Sequence, residues 1–314
     1  MTPPAGTATV PQAVGPAVTT RDVITAYVGL TKPRIVELLL VTTLPAMFLA
    51  AHGVPSWRLM LATMVGGYLA AGSANTYNNV IDADIDQLMR RTRTRALPRH
   101  RVSRQAAAVF GTVLGVASVL VLGFAVNWLS AWLALMANAL YVFVYTMWLK
   151  RSTSQNIIWG GIAGCFPPLI GWTAVTGTVA WPPVILFLIV FFWTPPHTWA
   201  LAWRYRQDYE AGGVPMLPVV ASRPAVARRI LLYSVFTVVT SLVLWPVART
   251  GWLYPVVAGA CGAWLIVEAV MLLRRANAGA DDTSARPMRL FHWSNTYLAL
   301  VFAAAALDPW LLGR

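Results

Sequence analysis

Residues 58–86 read RLMLATMVGGYLAAGSANTYNNVIDADID. Residues 59–81 carry no charge, and as a helix that length crosses the roughly 30 Å hydrocarbon core of a bilayer. The run then ends in three carboxylates, Asp82, Asp84 and Asp86. Asn78, Asp82 and Asp86 are spaced four apart. Each step of four turns a helix by about 400°, so the three drift by only about 80° and share one face over about 12 Å. Asp84 is rotated off that face. One helix end therefore offers a carboxamide and two carboxylates at the membrane boundary. Oxygen ligands of this kind, with room for water, suit magnesium, whose shell is usually completed by substrate phosphate oxygens. Carboxylates at such a depth are costly, which favours a functional role over ordinary helix-end polarity.

The rest of the chain repeats the apolar pattern. Of 314 residues, 58% are apolar and 11% charged, against roughly 25% charged in an ordinary soluble domain. A soluble globule cannot hide that much apolar side chain. Disorder, coiled coil and disulfide scaffold are excluded by the same composition. The apolar runs are too long for outer-membrane barrel strands. Nine of them have helical length, near 34–52, 58–80, 106–126, 129–149, 156–176, 181–203, 229–247, 252–273 and 289–312. The expected fold is an all-α polytopic membrane helix bundle of about nine transmembrane helices. Proline pairs at 167–168, 182–183 and 195–196 are expected to interrupt spans five and six. Residues 1–20 lack side-chain charge, are proline-rich and fit neither a signal nor a transit peptide. They read as a disordered tail ahead of one transmembrane domain, 21–314. The two cysteines, Cys165 and Cys261, make no zinc site and read as small core residues.

The net charge of +13 would suggest nucleic acid in a soluble protein. Here position decides its meaning. Assigned alternately to two sides, the loops carry 21 Lys and Arg on one side and 3 on the other. The positive-inside rule then sets the N-terminus in the cytoplasm and the C-terminus outside. No nucleic-acid partner is expected. Seven arginines between 90 and 104 exceed what orientation needs. Placed just after the acids, Arg91 and Arg95 suit a metal-bridged diphosphate, because guanidinium binds phosphate oxygens bidentately. No P-loop pattern is present, so nucleotide hydrolysis is not expected. Thr31-Lys32-Pro33-Arg34 and Leu149-Lys150-Arg151 lie on the same side, although positive-inside counting alone accounts for both.

A second polar group ends span six: Trp193-Thr-Pro195-Pro196-His197, then Arg204-Tyr205-Arg206-Gln207-Asp208-Tyr209. If the chain is helical after the prolines, His197, Arg204 and Asp208 fall within about 20° of a line. This end is again cytoplasmic, so both polar groups face one end of the bundle. His52 and His100 read as solvated, and His292 could reach the same end.

An Asn-x-x-x-Asp-x-x-x-Asp helix with trailing arginines in a nine-span bundle resembles the UbiA-type membrane prenyltransferases. The resemblance is closer to the branch of that superfamily that farnesylates haem. It rests on Asn78 to Asp86, Arg91-Thr92, Arg95, Leu97-Pro98, Leu149-Lys150-Arg151, Gly160-Gly161, Pro167-Pro168-Leu-Ile-Gly171-Trp172, Pro195-Pro196-His197, Arg204-Tyr205, Asp208-Tyr209 and Leu290-Phe291-x-x-Ser294-x-x-Tyr297. It covers the chain from about residue 27 to the end. Arg206-Gln207 departs from the family's usual Lys-Asp and leaves Asp208 as the acid there. The resemblance implies transfer of farnesyl from farnesyl diphosphate to a vinyl group of haem b, with water added, to give haem O. It implies magnesium on Asn78, Asp82 and Asp86. Arg34, Arg91, Arg95, Lys150 and Arg151 would hold diphosphate, and Asp82, Asp86, Arg204 and Asp208 would serve catalysis. His197 and Tyr205 would meet haem; His197 could ligate iron or orient water or a propionate. The implied setting is a bacterial inner (plasma) membrane among its lipids, with the active site toward the cytoplasm. Haem A synthase or a terminal-oxidase assembly would be partners. Two other readings stay open, a prenyltransferase for a quinone precursor and a transporter for an anionic lipid-like substrate.

Overall fold

A computed structural model describes residues 19–97 and 101–311. Most of the expected tail, residues 1–18, lies outside that range. Helix α1 (Thr20–Thr31) begins at the tail's last position. It starts on a capping box: Thr19 Oγ1 accepts from the Asp22 N–H, and the Asp22 carboxylate accepts from the Thr19 N–H. Lys32 closes it in the left-handed region (φ 52°), and Pro33 opens α2 (Pro33–Ala51) at the position where a missing N–H costs nothing.

Helix α3 (Trp57–Ile81) stops at Asp82, and a short α4 (Ala83–Leu88) follows. The break is slight. Asp82 N–H still reaches the Asn78 carbonyl and Asp86 N–H the Asp82 carbonyl, each at 2.9 Å. The shared face therefore survives although the helix is not continuous. Next come α5 (Arg104–Ala125) and α6 (Trp128–Ala139), which widens into a π-helix (Leu140–Leu149) before α7 (Lys150–Ser152). Helix α8 (Asn156–Gly160) and α9 (Phe166–Thr176) flank a 3₁₀ turn, Gly161–Cys165, so span five changes geometry ahead of Pro167-Pro168, which open α9 instead of breaking it. Helices α10 (Trp181–Arg204), α11 (Arg206–Ala211), α12 (Leu217–Val220), α13 (Arg223–Ala248), α14 (Leu253–Asn277) and α15 (Pro287–Leu311) complete the chain.

Span six corrects the expectation. Pro182 and Pro183 open α10, and Pro195-Pro196 lie within an unbroken helix. Proline's φ is helical, and a buried neighbourhood tolerates the lost N–H groups. The break falls ten residues later, at Tyr205 (φ −106°, ψ 26°). Asp208 consequently belongs to a different helix from His197 and Arg204, and the single line of three does not hold.

All nine expected segments are helical, and no strand occurs among the described residues. Among the described residues, seven segments are long and apolar enough to cross a membrane: Arg104–Ala125, Trp128–Ser152, Asn156–Thr176, Trp181–Arg204, Arg223–Ala248, Leu253–Asn277 and Pro287–Pro309. The other two, α2 and α3, pack in the same bundle, α2 on α9 and α3 on α5. Polar residues dilute the hydropathy of α3, among them Ser73, Asn75, Asn78 and Asn79, whereas α2 is apolar over Val41–Ala51.

Small residues let α3 approach α5. A Cβ on Gly66 would stand 2.5 Å from Leu122 Cγ. Ser118 Oγ donates to the Gly66 carbonyl and Ser73 Oγ to the Gly111 carbonyl, each at 2.7 Å. Lipid drives no burial between helices, so close contact and such cross-helix bonds hold them together. The outward faces of α5 and α6 are correspondingly apolar, with Phe124 and Trp132 exposed. Cys165 and Cys261 are both free thiols, the former fully buried.

Candidate active site

Asn78, Asp82 and Asp86 are all buried, at 3%, 0% and 2% exposure. Asn78 Nδ2 donates to Asp82 Oδ2 (2.7 Å) and to Thr146 Oγ1 (3.1 Å). Thr146 sits in the π-helix, and its hydroxyl reaches the Tyr141 carbonyl five residues back. π-Helical turns concentrate at functional sites because they re-aim side chains. This one carries Lys150 onto Asp82, with which it forms a buried ion pair. Arg95 pairs with Asp86 at 2.7 Å.

Lys32 is a site residue that sequence reasoning passed over as a topology signal. Its Nζ donates to Asn78 Oδ1 at 2.5 Å. The backbone explains its placement. Asn75 and Asn79 donate to the Thr31 and Leu30 carbonyls, so α3 holds the last turn of α1 and fixes the left-handed Lys32 between them. Burial, then the charges of Arg95 and Lys150, hold its ammonium well below the ordinary lysine range. The available sequence signal was a lysine followed by a proline at a helix start.

Arg151 takes a different position from Lys150. Its guanidinium grips the exposed Asp84 through two 2.8 Å bonds and donates to the Ile81 carbonyl at 3.0 Å. Those bonds from Arg151 draw the Asp84 carboxyl down to about 2. Its Nη2 is 3.8 Å from Asp82 Oδ1. Asp82 Oδ1 is buried and accepts no hydrogen bond. An orphaned, buried carboxylate oxygen is a position a divalent ion fits once an anionic ligand offsets the neighbouring cations. No three His, Cys, Asp or Glu side chains gather among the described residues. Magnesium here would therefore rest on Asp82, Asp86, the Asn78 amide and oxygens supplied by its ligand.

The two polar groups meet through Arg91. Its N–H donates to Asp208 Oδ2 (3.2 Å), and its guanidinium lies 5.7 Å from the Tyr205 ring and 5.9 Å from the Tyr209 ring. Met89 packs against Gly212, where a Cβ would stand 2.5 Å from its Cε. The loop after α4 and the helix after α10 thus form one cover beside the acids. Arg204 remains exposed at the end of α10 and makes no ion pair among the described residues. The Arg34 side chain lies outside the described residues. His197 is deeper in α10, stacked between Trp193 and Phe291.

A helical bundle with a buried Asn/Asp/Asp set, ringed by cations at one end, is the architecture of intramembrane prenyl transfer. The family model for the UbiA prenyltransferase family matches residues 39–295, and the chain belongs to that family. It is a multi-pass membrane prenyltransferase, and the transporter reading falls with that membership. Protoheme IX farnesyltransferase of Cutibacterium acnes is 67% identical over 294 residues, covering 94% of this chain and 87% of that protein. Protoheme IX farnesyltransferase of a Nocardioides species is 59% identical over 302 residues, 96% of each chain. Among solved structures, a digeranylgeranylglyceryl phosphate synthase aligns with a TM-score of 0.75 at 17% identity, covering 92% of this chain and 99% of its own. A UbiA homolog from Archaeoglobus fulgidus bound to GPP and Mg2+ aligns at 0.64 and 15% identity, covering 89% and 99%. These two share the fold.

Proposed function

We propose that the protein transfers the farnesyl group of farnesyl diphosphate to a vinyl group of haem b, with addition of water, giving haem O. The observation that carries the reading is the buried Asn78–Asp82–Asp86 set facing Lys32, Lys150 and Arg95. The identity to the two farnesyltransferases supports haem as acceptor. Asp82 and Asp86, with Asn78, would hold magnesium. When bound, the ion supplies Lewis-acid stabilisation of the leaving diphosphate. Lys32, Lys150, Arg95 and Arg91 bind the diphosphate oxygens and stabilise the charge that develops as the C–O bond breaks. Arg151 holds Asp84 and stands behind this group. Tyr141 and Tyr145, with ring centroids 5.4 Å apart and planes tilted by 38° on the π-helix, offer ring faces to the allylic cation. Exclusion of water by the bundle lets the vinyl carbon attack first, after which water quenches the haem-side cation. Tyr205 and His197 contact haem. The active site faces the cytoplasm of a bacterial inner membrane, and the product goes to haem A synthase or terminal-oxidase assembly.

The test is incubation of detergent-solubilised protein with haem b, farnesyl diphosphate and magnesium, followed by mass analysis of the porphyrin. The expected product is haem enlarged by one farnesyl group and one hydroxyl, the remaining proton of the water being released. Release of diphosphate with unmodified haem would overturn the acceptor assignment.

A further inference from the structure

At the end of the bundle away from the acids, the structure holds a cavity of about 500 Å³. Its wall is drawn from α2, α9, α10, α13 and α15 and from the Thr250-Gly251 loop. Two donors on this wall have no partner. Trp172 is 9% exposed and Thr250 5%, and neither the Trp172 indole N–H nor Thr250 Oγ1 makes a hydrogen bond among the described residues. A buried polar group left unpaired is costly, and a native fold rarely keeps one unless something else completes it. A third donor stands at the rim. Charge counting leaves this end three basic residues, Arg58, Arg249 and Arg314. Arg314 lies outside the described residues, and Arg58 lies over the Trp57 ring, 5.6 Å from its centroid. Arg249 is exposed, lines the cavity and makes no ion pair among the described residues.

The acid on the wall is already engaged. Asp308 accepts from the Gly251 and Tyr254 N–H groups, which ties down the loop that carries Thr250 and meets the carboxylate charge at the start of α14. With Asp308 so bound, the wall offers an indole N–H, a hydroxyl and a guanidinium, a set that suits an oxyanion. The depth of the cavity selects which one. Trp57, Trp128, Trp181 and Trp252 are exposed, and each stands at or just before the first turn of a helix at this end. Tryptophans placed in this way mark the level of the lipid headgroups. Phosphodiesters lie at that level, and Leu49, Pro182 and Val247 give the cavity an apolar side for glycerol carbons and the first methylenes. We propose that the cavity is a phospholipid site. Arg249, the Trp172 indole N–H and the Thr250 hydroxyl bind the phosphodiester of a lipid from the leaflet opposite the acids, and its chains leave along the apolar side. The bound lipid ties the ends of α2 and α13 to α9 and α15.

The experiment uses the full chain, stripped of lipid in a neutral maltoside detergent. Phosphatidylglycerol, diacylglycerol with the same chains and inorganic phosphate are titrated separately. Melting temperature and lipid retained in native mass spectrometry are the readouts, since a ligand that binds only the folded chain raises the melting temperature. Wild type is expected to retain a single phosphatidylglycerol and to melt higher with it. Diacylglycerol and inorganic phosphate should each bind at least about tenfold more weakly. Arg249→Asn, a residue at ease in the left-handed conformation that Arg249 adopts (φ 50°), should lose about tenfold or more in affinity for phosphatidylglycerol, the size of one hydrogen bond to a charged group. Thr250→Val and Trp172→Phe, which keep shape and remove one donor each, should lose a similar factor, and Arg249→Lys should keep most of the affinity. Should a wall variant not fold, Arg249→Asn at its exposed position carries the test. Diacylglycerol bound as tightly as phosphatidylglycerol overturns the phosphate contact. Inorganic phosphate bound as tightly overturns the lipid as source. Unchanged lipid affinity in Arg249→Asn, or wild type that retains no lipid and melts no higher, overturns the site.

Discussion

Asp82 and Asp86 are buried carboxylates, Asp82 paired with Lys150 from a distant part of the chain and Asp86 with Arg95 nine residues on. Replacing either by Asn keeps the shape and removes the charge a divalent ion needs. Asp82→Asn and Asp86→Asn are each expected to abolish turnover while melting temperature and membrane insertion stay near wild type. Turnover close to wild type in both variants would remove the metal role from this pair. Neighbouring Lys150 and Arg151 should separate. Lys150 reaches the buried Asp82, whereas Arg151 is held by an exposed carboxylate whose pairing contributes little. Removing a charge-assisted bond costs about 1.5–3 kcal/mol, or roughly ten- to a hundredfold in kcat/KM. Steady-state kinetics should show that loss for Lys150→Ala and a smaller one for Arg151→Ala. Equal losses would place both on the diphosphate.

At the scale of elements, the cover over the site is built from two loops joined at Arg91. Asp208 holds the Arg91 backbone and, with Tyr205 and Tyr209, sets where that guanidinium stands. Asp208→Ala is expected to raise KM for the allylic diphosphate at least tenfold and to change kcat less, because the residue positions a binding group. A kcat effect with unchanged KM would assign Asp208 to the chemistry itself. Much of this level was legible beforehand. The Asn78, Asp82 and Asp86 face could be read because its period is local and the i to i+4 bonds survive the break at Asp82. The nine helical segments could be read because lipid leaves the apolar signal undiluted. Lys32 could not, since its placement depends on Asn75 and Asn79 gripping α1 from more than forty residues away. Helix α1 had a readable start in Thr19-Thr-Arg-Asp22, hidden beside an uncharged segment. The π-helix has no composition of its own, and the unbroken Pro195-Pro196 depends on tertiary surroundings.

For the whole molecule, both polar groups lie at one end of the bundle, and that end carries the loops with 21 of the 24 basic residues. The opposite end is closed differently: Asp308 is buried and accepts the Gly251 and Tyr254 N–H groups at the start of α14. Charge asymmetry predicts that the site end faces the cytoplasm. A C-terminal alkaline phosphatase fusion is expected to be active and a C-terminal green fluorescent protein fusion dark. The reverse pattern would invert the orientation and place the diphosphate site outside.

Three cations, Lys32, Lys150 and Arg95, surround two carboxylates, and Lys32 is held below its ordinary range by burial first and then by its cationic neighbours. Such a chamber repels a lone divalent ion and strains to hold its own lysine charged. It is short of anion, and a diphosphate meets that shortage, after which a cation is welcome again. Metal and prenyl donor are therefore expected to enter as a couple, each raising the affinity of the other by the same factor. Calorimetry with magnesium alone should give weak or no binding, and magnesium in the presence of a non-reactive diphosphate tight binding. Equal affinities in the two titrations would mean that the acids take the metal unaided. A membrane enzyme so arranged is expected to stay free of metal between turnovers and to draw it in only with the diphosphate it is to cleave.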